Sequence, residues 1–194
     1  MKYFWRLMND ALEVQFPSVN FVREGIKIGI LNGLFAMIIM YGSYFIGFNT
    51  FAKTQLIASF IPYMIIVLLV YGFQLRKKNG NFLSLKEGMQ YTFLSYIIAA
   101  IVVGIGTYIL FNLMDKNLTQ KLFDYTIDKT RTSMEKMGMQ ESEIQKTIGD
   151  ATKQKQETTV RTILLGTGTG LIWDFVKSLL ITLAIRREKP LPAF

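Results

Sequence analysis

The segment YTFLSYIIAAIVVGIGTYILFNL, residues 91–113, runs for 23 residues without a charged side chain. A helix rises 1.5 Å per residue, so this one is about 34 Å long, enough to cross roughly 30 Å of hydrocarbon. Soluble core helices seldom run so far without a charged face, so the segment reads as a membrane span. Moving outward, residues 56–75 (LIASFIPYMIIVLLVYGFQL) are equally free of charge, and residues 26–47 (IKIGILNGLFAMIIMYGSYFIG) hold only Lys27 at their edge. Residues 163–185 (ILLGTGTGLIWDFVKSLLITLAI) are long enough but contain Asp174 and Lys177. The expected fold is all-α: a polytopic membrane protein whose four transmembrane helices form a single membrane domain over 1–194. The first span is too long and too far along the chain for a cleaved signal peptide. Phe48, Asn49, Thr50 and Phe51 after it offer no small-residue cleavage site.

The composition fits this segregation. The chain has 194 residues, 51% of them hydrophobic, yet 19% are charged and the net charge is +8; its mean hydropathy is +0.29. Such values coexist when charge and apolar surface occupy different stretches. The absence of Cys and His removes whole classes of chemistry. No disulfide, thiolate nucleophile, iron–sulfur cluster or Cys-based zinc site can form, and neither can a Ser-His-Asp triad or an imidazole metal site.

Lysine and arginine in the short loops set the orientation. Arg76, Lys77, Lys78 and Lys86 follow the second span, and Arg186, Arg187 and Lys189 follow the fourth, whereas the 48–55 loop carries only Lys53. Both termini and the 76–90 loop are therefore expected in the cytoplasm, with eleven basic and five acidic residues on that side. The net charge is then largely a topology signal, and no nucleic-acid partner is expected.

Residues 1–16 (MKYFWRLMNDALEVQF) interleave aromatic and charged residues and read as an amphipathic helix lying in the cytoplasmic interface, ended by Pro17. Residues 115–162 are polar, with apolar positions at Leu118, Leu122, Ile127, Met134 and Met137 at helical spacings. They predict an extracytoplasmic helical hairpin between spans three and four, continuous with those spans. Its first helix would stop at Gly138, and its second would be capped by Gln140 or Ser142, with Ile144, Ile148 and Ala151 sharing one face.

Four stretches carry a family resemblance: REGIKIGILNGL in the first span, FLSLKEGMQYTFLSYIIA entering the third, MGMQESEIQKTI in the hairpin, and LAIRREKP at the end. In order, length and character the chain resembles the domain of unknown function 4199 family (DUF4199), small membrane proteins common in Bacteroidota. The resemblance covers essentially the whole chain and implies a Gram-negative inner-membrane setting, with no activity attached. Asp174 and Lys177 inside the last span depart from what the resemblance leads one to expect.

Three sets of residues stand out. Gly25, Gly29 and Gly33 recur every four residues on span one, and Gly166 and Gly170 repeat the spacing on span four; both series predict close helix packing. The GTGTG string at 166–170 follows no strand and lies at membrane depth, so it is no phosphate-binding loop. Asp174 is the twelfth of 23 residues in its span, and Lys177 shares its face at i,i+3. Charges at that depth cost a few kcal/mol unless paired or hydrated, which makes this pair the candidate intramembrane polar site. It is either a relay or substrate contact or a structural ion pair buried inside the bundle. Spans two and three offer no further charged group for a pathway. Asn32 lies at about 9 Å from the inner edge of its span and Lys177 at about 12 Å. The two are predicted to meet across an interface between spans one and four.

Pro62 predicts a kink in span two. Tyr41, Tyr44, Phe45, Tyr108 and Phe111 on one side, with Tyr71, Phe73 and Tyr91 on the other, predict interfacial aromatic belts. With neither a catalytic constellation nor a metal- or cofactor-binding pattern, the sequence points to a non-catalytic inner-membrane protein without a cofactor, an envelope accessory or interaction protein that presents the 115–162 helical arm to the periplasm. Its partners would be the lipid bilayer and either a second copy of itself or another envelope protein held through 115–162. The alternative is a small transporter or channel subunit working through Asp174 and Lys177.

Overall fold

The computed structural model describes residues 19–58, 62–153 and 160–188; the interfacial helix expected at 1–16 lies outside them. Helix α1, Phe21–Ile46, starts at Asn20, whose side chain accepts a hydrogen bond from the Arg23 amide at 2.9 Å. This satisfies one of the four amides that a helix start leaves without a partner. Gly47 ends α1 at φ 142°, a backbone conformation costly for any residue with a Cβ. Helix α2, Phe48–Ala58, follows at once. The short loop expected over 48–55 is thus a helix, and it buries Phe51 and Ala52 against the rest of the chain.

Helix α3, Tyr63–Lys78, begins after Pro62 and lies at 53° to α2. Proline has no amide to donate and clashes with the preceding turn, so span two is two helices with a bend where a kink was expected. Helix α4, Leu85–Tyr108, opens on a capping box. Ser84 Oγ accepts from the Glu87 amide, and the Glu87 carboxylate accepts from the Ser84 amide at 2.8 Å. It continues as a π-helical turn, Ile109–Met114. Helices α5, Leu118–Lys136, and α6, Glu141–Lys153, form a hairpin, and α7, Val160–Ile185, completes the described chain.

Three of these helices, α1, α4 with its π turn, and α7, are long and apolar enough to cross a membrane; the bent α2–α3 pair makes a fourth if it counts as one span. Most of their apolar surface is not buried within the chain. Ile38, Ile46, Leu164, Ile172 and Trp173 are among many large side chains left exposed. For a chain in water this would be an aggregation liability, whereas in hydrocarbon it needs no further cover.

Helix α4 is the hub. Along α1, Gly25 lies against Tyr91, Gly29 against Ser95 and Ile98, and Gly33 against Ala99 and Val102, so α1 and α4 run parallel. Gly88 of α4 lies against Thr182, and Gly104 against Ile163, so α7 runs antiparallel to α4. Helix α3 covers Tyr91, which is fully buried and donates to the Leu68 carbonyl at 3.1 Å. Tyr91 is therefore a core residue, not the interfacial anchor its position predicted.

This topology gathers the start of α1, the end of α3, the start of α4 and the end of α7 at one pole. There Tyr71 donates to Glu24 at 2.6 Å, Arg76 donates to the Ile185 carbonyl at 3.2 Å, and Leu83 and Arg187 exchange two backbone hydrogen bonds. Arg23, Lys27, Lys77, Lys78, Lys86 and Arg186 flank the same contacts, so the basic loops share one end of the bundle. At the opposite pole Met40, Phe51, Leu110 and Leu118 form a second buried cluster.

The hairpin matches its expected helices closely. Gly138, at φ 74°, closes α5, and the Met139 amide reaches back to the Met134 carbonyl at 3.1 Å. The Gln140 carbonyl receives the first amides of α6, and Met134 and Ile144 are buried. Arg131 bridges Glu135 of its own helix at 2.9 Å and Glu141 of the next at 2.7 Å. Hydrogen bonding to Glu135, then the charge of Glu141, raise the guanidinium pKa above its ordinary value. The expected continuity with span three does not hold, because the helix breaks over residues 115–117 before α5 starts.

Candidate polar site between α3, α4 and α7

Asp174 and Lys177 lie one turn apart on α7 and form a direct ion pair, Nζ to Oδ1, at 2.6 Å. The Lys177 ammonium also stands 5.0 Å from the centre of the Tyr96 ring on α4, close enough for a cation–π attraction. This second partner fixes the direction of the lysine: it leans back along α7 over the aromatic face and does not reach toward α1. The pair is not sealed between helices, since the Asp174 side chain is 18% exposed and that of Lys177 is 40% exposed.

Both charges line a cleft of about 450 Å³. Its walls come from three directions. Pro62, Tyr63, Met64 and Ile65 stand at the start of α3, Tyr96, Ala99, Ala100 and Val103 lie in the middle of α4, and Ala58 ends α2. The cleft exists because α3 begins late, after the break at Pro62, and because α4 presents alanines where a full-length neighbour would otherwise pack. Its lining is mostly apolar with one acid and one base, which sum to zero charge.

Asn32 does not join this site. It is buried at 5% exposure, yet its amide nitrogen has no hydrogen-bond partner among the described residues. The predicted contact with Lys177 is absent for a topological reason: the glycine face of α1 packs on α4, so spans one and four do not form the interface the prediction required. The second glycine series also needs correcting. A Cβ added at Gly166 or Gly170 would meet nothing within 4 Å, whereas one at Gly29 would come within 2.7 Å of Ile98 and the Ser95 carbonyl. Of the two series, the α1 glycines form a packing face among the described residues, and Gly166 and Gly170 do not.

The contacts that hold α7 lie elsewhere. Thr92 and Thr182, both fully buried, place their hydroxyl oxygens 3.0 Å apart. Thr92 also donates to the Gly88 and Ser178 carbonyls, at 2.9 and 3.3 Å. On the other side of α4, Ser95 donates to the Gly25 carbonyl of α1 at 3.0 Å. Hydroxyls that bridge helices in hydrocarbon contribute about 0.6 kcal/mol each, up to about 1.7. Sequence reasoning passed over this layer because isolated Ser and Thr in an apolar run bear no pattern that marks them as pointing inward. Gly72 and Gly88 were also passed over, although added Cβ atoms there would collide with Ile185 and Thr182. The one legible signal was the Ser84–Glu87 capping box, which announces where α4 starts.

Among the described residues no group of three or more Asp, Glu, His or Cys side chains is placed to hold a metal ion. Comparison with curated proteins and with solved structures finds no match. A family model does match: the one described as "Protein of unknown function (DUF4199)" covers residues 27–187, from the start of the first span to the bridge beside the last, and the chain belongs to that family.

Proposed function

We propose that the protein is a non-enzymatic inner-membrane transporter or channel subunit that moves a small solute through the cleft at Asp174 and Lys177. One observation carries the reading: an ion pair near the middle of a span lines an open cleft instead of being enclosed by helices. Charges serving only to fasten helices are best hidden in a tight interface, where lipid and water cannot compete for them. A break in a spanning helix beside such a pair is also the usual construction of a solute site at membrane depth. In this reading the basic pole faces the cytoplasm, as the positive-inside bias requires, and the α5–α6 hairpin faces the periplasm. Four spans enclose little volume, so the working unit is a homo-oligomer.

The absence of Cys makes the test direct. Single cysteines at Ala100 or Val103 in the cleft should react with a membrane-impermeant thiol reagent, and Asp174→Asn with Lys177→Gln should change the rate or sidedness of labelling. A cysteine at Ile38, exposed on the outer surface of α1, is the lipid-facing control. If the cleft cysteines are as inert as the control from both sides, the pathway does not exist.

A second reading, an accessory protein that holds another envelope component through the hairpin, draws on Met137. This flexible apolar side chain is 71% exposed at the hairpin tip, which is otherwise fastened by Arg131. Deleting residues 118–153 should then abolish co-purification of a partner while leaving cleft labelling intact.

A further inference from the structure

We infer that the cleft recognises a zwitterion: a molecule that joins an ammonium group and an anionic oxygen group, a few atoms apart, to an apolar body. The inference rests on the proposal that the cleft holds a solute, and it names the class of that solute. Three observations lead to it.

The first is charge. The lining contains one carboxylate and one ammonium, already paired at 2.6 Å. A lone cation that displaced Lys177 from Asp174 would strand the lysine ammonium in a low-dielectric wall. A lone anion that displaced Asp174 would strand the carboxylate in the same way. Burying an uncompensated charge is far more costly than exchanging one pair for two. A zwitterion makes that exchange, its ammonium taking Asp174 and its anionic group taking Lys177.

The second is the Tyr96 ring. Because Lys177 stands over it at 5.0 Å, the lysine keeps an attractive partner when its carboxylate is taken away. The ring eases the opening of the ion pair but supplies no anion, so the ligand's own anionic group is still needed to neutralise Lys177. A pair serving only to neutralise itself needs no such second seat.

The third is the remaining wall. Ala58, Pro62, Met64, Ile65 and Val103 offer no further charge. Beyond Asp174, Lys177 and Tyr96, the Tyr63 hydroxyl is the one polar side-chain group of the wall among the described residues, so the rest of the ligand is largely apolar. Two sources share this chemistry: a free amino acid with an apolar side chain, and the headgroup of an ethanolamine phospholipid from the bilayer.

The experiment uses the full chain in an uncharged maltoside detergent, titrated by calorimetry and by thermal unfolding. The probes are phenylalanine, phenylalaninamide (cation only), N-acetylphenylalanine (anion only) and a short-chain phosphatidylethanolamine. Phenylalanine, the phospholipid or both should bind and raise the melting temperature, and each one-charge analogue should bind at least about tenfold more weakly, having lost one of two charge-assisted contacts. Binding of phenylalanine alone identifies a soluble source, and binding of the phospholipid alone identifies the bilayer. Asp174→Asn with Lys177→Gln, checked for an intact melting transition, should abolish the discrimination. A one-charge analogue that binds as tightly as phenylalanine, or no binding by either zwitterion, overturns the inference. If no zwitterion binds while the cleft cysteines still label, the transport reading survives without this ligand class. If a zwitterion binds while those cysteines stay inert, recognition stands and transport falls.

Discussion

Along α1, Gly25, Gly29 and Gly33 press against the backbone and side chains of α4, whereas along α7 Gly166 and Gly170, at the same four-residue spacing, meet nothing within 4 Å among the described residues. A glycine series alone does not bring two helices together. It permits close approach but supplies no attraction of its own, so a partner must be held there by something else. On α1 that something is the Ser95 hydroxyl bound to the Gly25 carbonyl, and the fit of Ile98 and Val102 onto the flat glycine face. On α7 the fastening is concentrated nearer the basic pole, where Thr92 meets Thr182 and Phe93 stacks edge-on against Phe175 with ring centres 5.4 Å apart. Further along, Gly104 approaches Ile163 only at ordinary contact distance. The cleft opens beside this looser stretch.

The contrast can be broken most directly at Gly29. Gly29→Leu forces a branched side chain into space already held by Ile98 and the Ser95 carbonyl, and should cost about 2–3 kcal/mol or prevent folding. Denaturant unfolding in mixed micelles measures it, and Gly29→Ala provides a milder version if the larger change does not fold. Thr92→Val comes next. It removes the hydroxyl that links α4 to α7 while keeping the side-chain shape, and should lower stability by about 0.6–1.7 kcal/mol in the same assay. The smallest effect belongs to Gly170→Leu. With nothing within 4 Å to meet it, the change should stay within about 0.5 kcal/mol. A large loss at Gly170, or a smaller particle on size exclusion, would mean that a second copy covers this face and would erase the contrast with α1.

Much of the fold was legible because the bilayer demands long uncharged helices, and residues 91–113 can be little else. The hairpin was legible for a local reason. Gly138 must adopt a left-handed conformation, and the apolar spacing around it declares two amphipathic helices. Pro62 marked the bend in span two, though not that the preceding segment would itself be helical. The site was legible in its charges but not in its surroundings. Asp174 and Lys177 announce themselves by their depth, and i,i+3 spacing brings them together on any helix. The Tyr96 ring beneath the lysine is 78 residues away in sequence from Asp174, and no local pattern connects them.

Asn32 shows why the remainder was out of reach. Equal depth in the membrane is a property of one helix at a time, and it made an Asn32–Lys177 contact geometrically possible. Whether two spans at that depth touch depends on which helix sits between them, and here α4 takes both α1 and α7 as neighbours. Local composition and the surrounding solvent were enough for the long apolar segments, the two hairpin helices, the family and the two costly charges, but not for the helix Phe48–Ala58 or the division of span two. That α4 is the hub, that one glycine series packs while the other stands open, and that the charged pair lines a cleft emerge from the three-dimensional arrangement alone. Those outcomes depend on contacts between residues far apart in the chain, where packing and hydrogen-bond geometry choose among arrangements the sequence pattern leaves equally possible.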